Sequence, residues 1–127
     1  MELTVSSTFI ENIVFQSVEE LNEESEFSFS KELKFYDDKK MFSIIFELEL
    51  NNGKGKLLNM TYLANFKTSE EIGDDFIHSP FPKINAPAIV FPYLRVAVTN
   101  IFVLSGYSPV YLPSINFVAL EQQESKK

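Results

Sequence analysis

The chain has 127 residues, of which 45% are hydrophobic, and a net charge of −7. Its length and composition predict a single globular domain, residues 1–127, and argue against extensive disorder. The acidic balance argues against binding of nucleic acid or anionic membrane surfaces, because both need clustered Lys and Arg. The absence of cysteine excludes disulfides and thiolate metal sites.

Strands with one apolar and one polar face are predicted over residues of about 3–67. The clearest pair flanks residues 51–55 (Asn-Asn-Gly-Lys-Gly), which favour a turn because Asn and Gly tolerate positive φ. Alternation of apolar and polar residues on both sides of this turn predicts an antiparallel hairpin. The apolar positions are Phe42, Ile44, Phe46, Leu48 and Leu50 before the turn and Leu58, Met60, Tyr62, Ala64 and Phe66 after it; the polar ones are Ser43, Glu47 and Glu49, then Asn59, Thr61 and Asn65.

Two further strands are predicted upstream of this hairpin. Phe27, Phe29, Leu33 and Phe35 alternate with polar residues, and residues 37–40 (Asp-Asp-Lys-Lys) then reverse the chain. Residues 3–17 have a less regular pattern, which suggests a bend or a β-bulge. A sheet with one apolar face needs another layer to cover that face.

The last third of the chain is predicted to contain a loop and two helices. Residues 69–87 are rich in Ser, Glu, Asp and Pro, which favours a loop. Residues 88–105 are almost entirely apolar and precede Gly106, which can close a helix in the left-handed conformation. Length favours a helix there, although the β-branched content favours a strand. A short helix is predicted at about 116–124, capped by Ser114 or Asn116.

The long helix predicts self-association. Arg95 and Thr99 lie four residues apart and form one narrow polar stripe on an otherwise apolar helix. One sheet face in a chain of this size cannot bury the remaining sides, so a second subunit is expected to cover part of them.

A cytoplasmic location without membrane insertion is expected. The apolar run at residues 89–104 is interrupted by polar residues and is shorter than the ~20 residues that span a bilayer. Residues 1–5 lack the basic segment and the long apolar stretch of a signal peptide.

No catalytic constellation is present, so the chain is not expected to be an enzyme or to bind a cofactor or metal. The only histidine, His78, lies in the proline-flanked loop without a second His or Cys to complete a zinc site. Acidic clusters occur at Glu19–Glu20, at Glu23–Glu24 and between residues 70 and 75. These are interpreted as solvated surface charge, or alternatively as a docking patch for a basic partner.

Two segments of the last third resemble the SecB family. Phe91-Pro92-Tyr93, followed by an apolar residue and Arg95, resembles the start of the family's long helix, and residues 105–109 resemble the turn that ends it. Residues 112–120 (Leu-Pro-Ser-Ile-Asn-Phe-Val-Ala-Leu) resemble its second signature. The first two thirds of the chain match the family in strand pattern only.

The resemblance implies an α+β fold: a four-stranded antiparallel sheet with one long and one short C-terminal helix. It also implies a homotetramer, a dimer of dimers, that acts as an ATP-independent chaperone holding unfolded preproteins and passing them to the SecA motor. Tyr93, Phe117 and Leu120 match motif positions that line the family's client groove, and Phe66 is a further candidate from the strands. Glu47 and Glu49, on the polar sheet face, are candidates for docking SecA.

The sequence departs from the family pattern at two places, and two alternative functions remain open. Glu121 stands where the family often has an aromatic residue, and the C-terminal region that helps to engage SecA is short here. The short C-terminus favours an alternative in which the chain is a dedicated chaperone of an antitoxin in a toxin–antitoxin system. An alternative of another class is a small-molecule-binding protein on the same fold.

Overall fold

The computed structural model of this chain describes residues 1–19 and 25–125. Glu20, Glu23 and Glu24, from the acidic clusters noted above, lie outside these residues. The described residues form four strands and then three helices. The strands are β1 (Leu3–Ser17), β2 (Glu26–Phe35), β3 (Met41–Asn51) and β4 (Lys56–Thr68); the helices are α1 (Asp74–Ile77), α2 (Ala86–Leu104) and α3 (Phe117–Ser125), with a five-residue π-helical turn (Phe81–Asn85) directly before α2.

The four strands form one antiparallel sheet in the order β1-β4-β3-β2. The predicted hairpin is confirmed, because β3 and β4 pair in the register Phe42↔Phe66 to Leu50↔Leu58. Gly53 has φ of 75°, and its amide donates to the Asn51 side chain at 2.8 Å, which explains why this turn favours Asn and Gly. The predicted irregularity of the first strand is also confirmed as two register shifts in β1.

The core lies between one face of the sheet and α2. All ten apolar positions predicted for the β3–β4 hairpin are buried on this face. Four residues spaced by four along α2 have no exposed surface and pack into the same cluster: Val90, Leu94, Val98 and Phe102. This spacing places them on one side of the helix, so α2 covers the apolar face that the sheet required.

Residues 69–87 are more ordered than the predicted loop. Asp74 and Asp75 begin α1, where carboxylates are favourable at a helix N-terminus. Phe76 is buried, and its ring packs on Phe42 and Phe81 with centroid distances of 5.6 and 6.1 Å. These aromatic contacts hold the segment against the core, and composition alone gave no sign of them.

The long helix begins earlier than predicted. Together with the π-helical turn, α2 forms a continuous helical stretch of 24 residues, Phe81–Leu104, which is long and apolar enough to cross a membrane by length and composition. The helical stretch is thus longer than the apolar run at residues 89–104 on which the expectation of no membrane insertion was based. One side of α2 is nevertheless packed against the sheet, as in the core helix of a globular domain. Gly106 follows with φ of 90°, which confirms the predicted left-handed terminus.

Candidate client-binding surface

The side of α2 that faces away from the sheet is an exposed apolar surface. Tyr93 is 51% exposed and Val96 is 60% exposed. Ile89 and Val103 are also exposed on this helix. These residues lie three, four or seven positions apart, so they follow one another along the helix. The single subunit leaves this surface uncovered, as the predicted self-association requires.

A cleft of about 430 Å³ lies beside this surface. It is formed between α2 and the extended segment at residues 107–116, and it is lined by Pro92, Arg95, Val96, Thr99, Asn100, Tyr111 and Leu112. The Thr99 hydroxyl donates to the Val110 carbonyl at 2.7 Å, which holds the extended segment against the helix. Leu112 is buried and Tyr111 is 74% exposed, so the cleft has an apolar floor and an aromatic rim.

The cleft was not predicted from the sequence, although two features of the sequence point to it. The polar stripe of Arg95 and Thr99 was identified, and the extended character of the segment after Gly106 follows from its prolines. The position of the segment alongside α2 depends on the hydrogen bond to Thr99 and on the burial of Leu112. This hydrogen bond joins residues that are eleven positions apart.

The predicted client-contact residues do not come together in one open groove. Phe66 has no exposed surface and stacks on Phe42 with a centroid distance of 5.0 Å, so it is a core residue of this subunit. Phe117 is only 5% exposed, and Leu120 is half-buried. Among these four residues only Tyr93 presents a largely exposed side chain.

Phe117 attaches α3 to the rest of the subunit. Its ring contacts those of Phe91, Phe29 and Phe46, with centroid distances of 5.6, 6.3 and 6.5 Å. The Asn116 side chain accepts a hydrogen bond from the Ala119 amide at 3.0 Å, which confirms Asn116 as a cap of this helix. The second signature motif therefore docks the short helix over β2, β3 and α2.

A nearly buried ion pair also connects α3 to the sheet. The Lys31 side chain, on the helix-facing side of β2, is 5% exposed. Its ammonium lies 3.1 Å from a carboxylate oxygen of Glu121 and 3.5 Å from one of Glu124. Glu121, which replaces the family's frequent aromatic residue, thus neutralises a cation that lies beneath α3.

The opposite face of the sheet carries the candidate docking carboxylates. Glu47 and Glu49 are exposed on β3, two residues apart and therefore on the same face. In the paired register they lie beside serines of β2 and polar residues of β4. Phe9 and Val14 of β1 are also exposed on this face, so it combines acidic and apolar groups.

The described residues contain no cluster of His, Cys, Asp and Glu that could hold a metal ion. Nδ1 of His78, the residue directly after the short helix α1, lies 2.8 Å from the Asp74 carbonyl of that helix. Among the described residues that line the cleft beside α2, only Arg95 is charged at neutral pH. In the described part of the chain, the site therefore offers apolar contact, hydrogen bonds and one positive charge.

The fold and this surface define a class of protein: an α+β subunit whose long helix covers one face of a four-stranded antiparallel sheet and leaves apolar surface exposed. The chain belongs to the SecB family, because the family described as preprotein translocase subunit SecB matches residues 11–127. This finding confirms the resemblance and the predicted fold class. SecB is a family of chaperones and not of enzymes.

Several curated protein-export proteins named SecB are similar to this chain. The protein from Magnetococcus marinus is 32% identical over 88 residues, which are 66% of this chain and 54% of that protein. The protein from Dinoroseobacter shibae is 29% identical over 90 residues, 67% of this chain and 52% of that protein. The protein from Methylibium petroleiphilum is 38% identical over 47 residues, 37% of this chain and 29% of that protein. The chain thus spans about half or less of the length of these relatives.

Two solved structures share the fold. One is a SecB-like chaperone of Mycobacterium tuberculosis in complex with a ChAD peptide from the HigA1 antitoxin, with a TM-score of 0.70, 10% identity and coverage of 89% of this chain and 87% of that one. The other is a protein of unknown function from Streptococcus agalactiae, with a TM-score of 0.55, 13% identity and coverage of 90% and 98%. At these identities the likeness concerns the fold alone.

Proposed function

We propose that this protein is an ATP-independent chaperone that holds unfolded preproteins for export, using the exposed side of α2 as its client-binding surface. The observation that carries the proposal is the row of exposed apolar side chains on a helix that is otherwise packed into the core, with Tyr93 and Val96 at its centre. Membership of the SecB family and the names of its protein-export relatives support the same function.

The physical basis of such binding is removal of apolar surface from water. Burying one large apolar side chain contributes about 1.5–3 kcal/mol, without any requirement for a defined client sequence. Tyr93 and Tyr111 suit this role, because aromatic rings offer a large contact area at a small cost in side-chain entropy. Individual contacts are weak, so several copies of the surface in one assembly would raise the overall affinity through effective concentration.

We further propose that the protein assembles into a homotetramer, a dimer of dimers, in the cytoplasm. Exposed apolar residues of α2 other than Tyr93 and Val96, such as Ile89 and Val103, support association, because an exposed apolar patch of this kind is typical of an interface. Glu47 and Glu49 are proposed to dock the SecA motor on the outer sheet face, where their carboxylates are accessible. Phe117 and Leu120 are proposed to border the client site through their role in fixing α3.

An aggregation assay tests the chaperone proposal. The protein is mixed with a chemically unfolded client, diluted into buffer without nucleotide, and turbidity is followed over time. Suppression at a stoichiometric ratio is expected. Val96→Ser should weaken it, whereas Val118→Ser, at a 48% exposed position on α3, is the matched control that should retain it.

Two outcomes of this assay would contradict parts of the proposal. Unchanged client aggregation with the unsubstituted protein would contradict the proposed function. Equal loss in both variants would instead show that α2 is not the client surface. The mass of each variant, measured by light scattering, distinguishes loss of client binding from loss of assembly.

A dedicated antitoxin chaperone is the second candidate. It is supported by the structural neighbour from Mycobacterium tuberculosis, which holds a peptide of an antitoxin on the same fold. Export clients and an antitoxin would compete for one surface. A much higher affinity for a single partner than for unrelated unfolded proteins would favour the antitoxin chaperone. A toxin–antitoxin pair encoded beside the gene would also favour it.

A further inference from the structure

One lysine side chain connects three separate parts of the subunit. Lys56 begins β4, and its ammonium lies 5.2 Å from the centre of the Phe15 ring on β1. It also lies 5.2 Å from the centre of the Tyr107 ring, in the turn after α2. The same ammonium donates to the Ser17 hydroxyl at 3.0 Å. Lys56 thus joins the end of β1 and the start of β4 to the chain that leaves the long helix.

The charge of Lys56 acts on neutral groups. No ion pair within the described residues includes Lys56, and the residue is half-buried. A cation over the face of an aromatic ring is attracted by the ring, and the attraction strengthens where water is partly excluded. The Phe15 ring also meets the rings of Phe102 and Tyr107 edge-on, at centroid distances of 5.2 and 5.8 Å. Lys56 therefore completes a cluster whose other members are three aromatic rings.

This cluster fixes the point at which the extended segment, residues 107–116, begins. The Tyr107 amide donates to the Phe102 carbonyl at 2.9 Å, where α2 ends. Tyr107 is nevertheless 38% exposed. Its ring is therefore held by its contacts with Lys56 and Phe15 more than by burial.

The extended segment forms a wall of two clefts. The cleft beside α2 has a volume of about 430 Å³. A second cleft, of about 470 Å³, lies between residues 106–111 and the β3–β4 turn. Tyr111 lines both clefts and is 74% exposed. A shift of residues 107–111 would change the shape of both clefts, so their width depends on what holds this segment in place.

We propose that Lys56 is a positioning residue for client binding: its cation holds Tyr107 and thereby fixes the extended segment in the position in which both clefts are open. The inference rests on the proposed function. Lys56 is not among the described residues that line either cleft, so it acts through Tyr107 and not by touching the client. Further along the segment, the Thr99 hydroxyl holds the Val110 carbonyl. A wall that is already in place loses less conformational entropy when a client binds.

Two measurements test this inference. Fluorescence polarisation measures binding of one labelled, uncharged peptide that contains Phe and Leu. Hydrogen exchange measures protection of the Tyr107 amide, with the amides of β3 as a reference for global stability. Lys56→Gln removes the cation, whereas Lys56→Arg retains it. Lys67→Gln removes the same charge from an exposed position near the other end of β4 and is the matched control.

We expect Lys56→Gln to weaken peptide binding about 3- to 10-fold, the range for loss of a cation that contacts two rings near the surface. Exchange of the Tyr107 amide should accelerate by a similar factor, while exchange in β3 changes little. Lys56→Arg and Lys67→Gln should bind within about two-fold of the unsubstituted protein. Adding Lys56→Gln to a Tyr107→Leu variant should weaken binding less than Lys56→Gln does alone, because the ring that the cation positions is absent.

Failure of this inference is distinguishable from failure of the proposed function. If the peptide binds and Lys56→Gln behaves like Lys67→Gln, the inference is wrong while the chaperone function stands. If Lys56→Arg binds as weakly as Lys56→Gln, the cation is not responsible, and the inference is also wrong. Equal acceleration of exchange at Tyr107 and throughout β3 would show general destabilisation and overturn it as well. If the unsubstituted protein neither binds the peptide nor suppresses client aggregation, both proposals fail.

Discussion

The ion pairs between Lys31 and α3 lead to a quantitative prediction. The Lys31 side chain is 5% exposed, and its two partners, Glu121 and Glu124, are 19% and 47% exposed. Both partners lie on one short helix that is otherwise anchored mainly by Phe117. Converting both carboxylates to amides would leave the ammonium buried without a counter-ion.

The expected cost follows from the burial of the three groups. Removing one side of a fully buried pair typically costs 3–5 kcal/mol, and the partial exposure of the two carboxylates reduces this to about 2–3 kcal/mol. Glu121→Gln/Glu124→Gln should lower the free energy of unfolding by this amount. Lys31→Met, which removes the charge and keeps an apolar stem beside Phe29, should change it by less than about 1 kcal/mol. Combining all three substitutions should recover most of the loss.

Urea unfolding followed by circular dichroism measures these differences, at one protein concentration because assembly contributes to stability. Glu47→Gln/Glu49→Gln removes the same two charges from the outer sheet face and is the matched control, with an expected change of at most about 0.5 kcal/mol. The reasoning would be refuted if the α3 double variant were no less stable than this control. It would also be refuted if adding Lys31→Met to the α3 double variant restored nothing.

Two further predictions concern the core and the end of the long helix. Phe66→Ala should lower the free energy of unfolding by about 3–5 kcal/mol, because this ring is fully buried against Phe42. Its client affinity, measured by polarisation where the variant is folded, should be unchanged; a specific loss of affinity would contradict the core assignment. Gly106→Ala should lower the free energy of unfolding by about 1–2 kcal/mol, because φ at this position is 90°. The added Cβ would meet no atom within 4 Å, so backbone strain is the only cost. Thermal denaturation measures this, and an unchanged melting temperature would contradict it.

The strands and turns could be predicted because their signals are local. Alternation with a period of two sets the faces of β3 and β4, and the glycine-rich turn between them fixes their register. Gly106 was predicted from its position directly after an apolar run, and its positive φ follows from the absence of a Cβ.

The order within residues 69–87 could not be predicted, because it depends on contacts distant in sequence. Phe76 is fixed by Phe42, more than thirty residues earlier in the chain. The same reason explains why the motif residues Phe117 and Phe91 pack on each other instead of lining an open groove. Family motifs identified these positions, but only the packed structure shows which side of each ring is covered.

The amino-acid sequence by itself determined the strand faces, the long apolar helix, the family and the expectation that one subunit leaves apolar surface uncovered. The tertiary structure decided which apolar residues those are. Val96 and Val98 have the same side chain and lie two positions apart, yet Val96 is 60% exposed and Val98 is fully buried. Because α2 is apolar on almost all sides, its composition does not determine which side of the helix faces the sheet. Only packing against the sheet selects the buried side and thereby leaves Tyr93, Val96 and the cleft at Arg95 open to a partner.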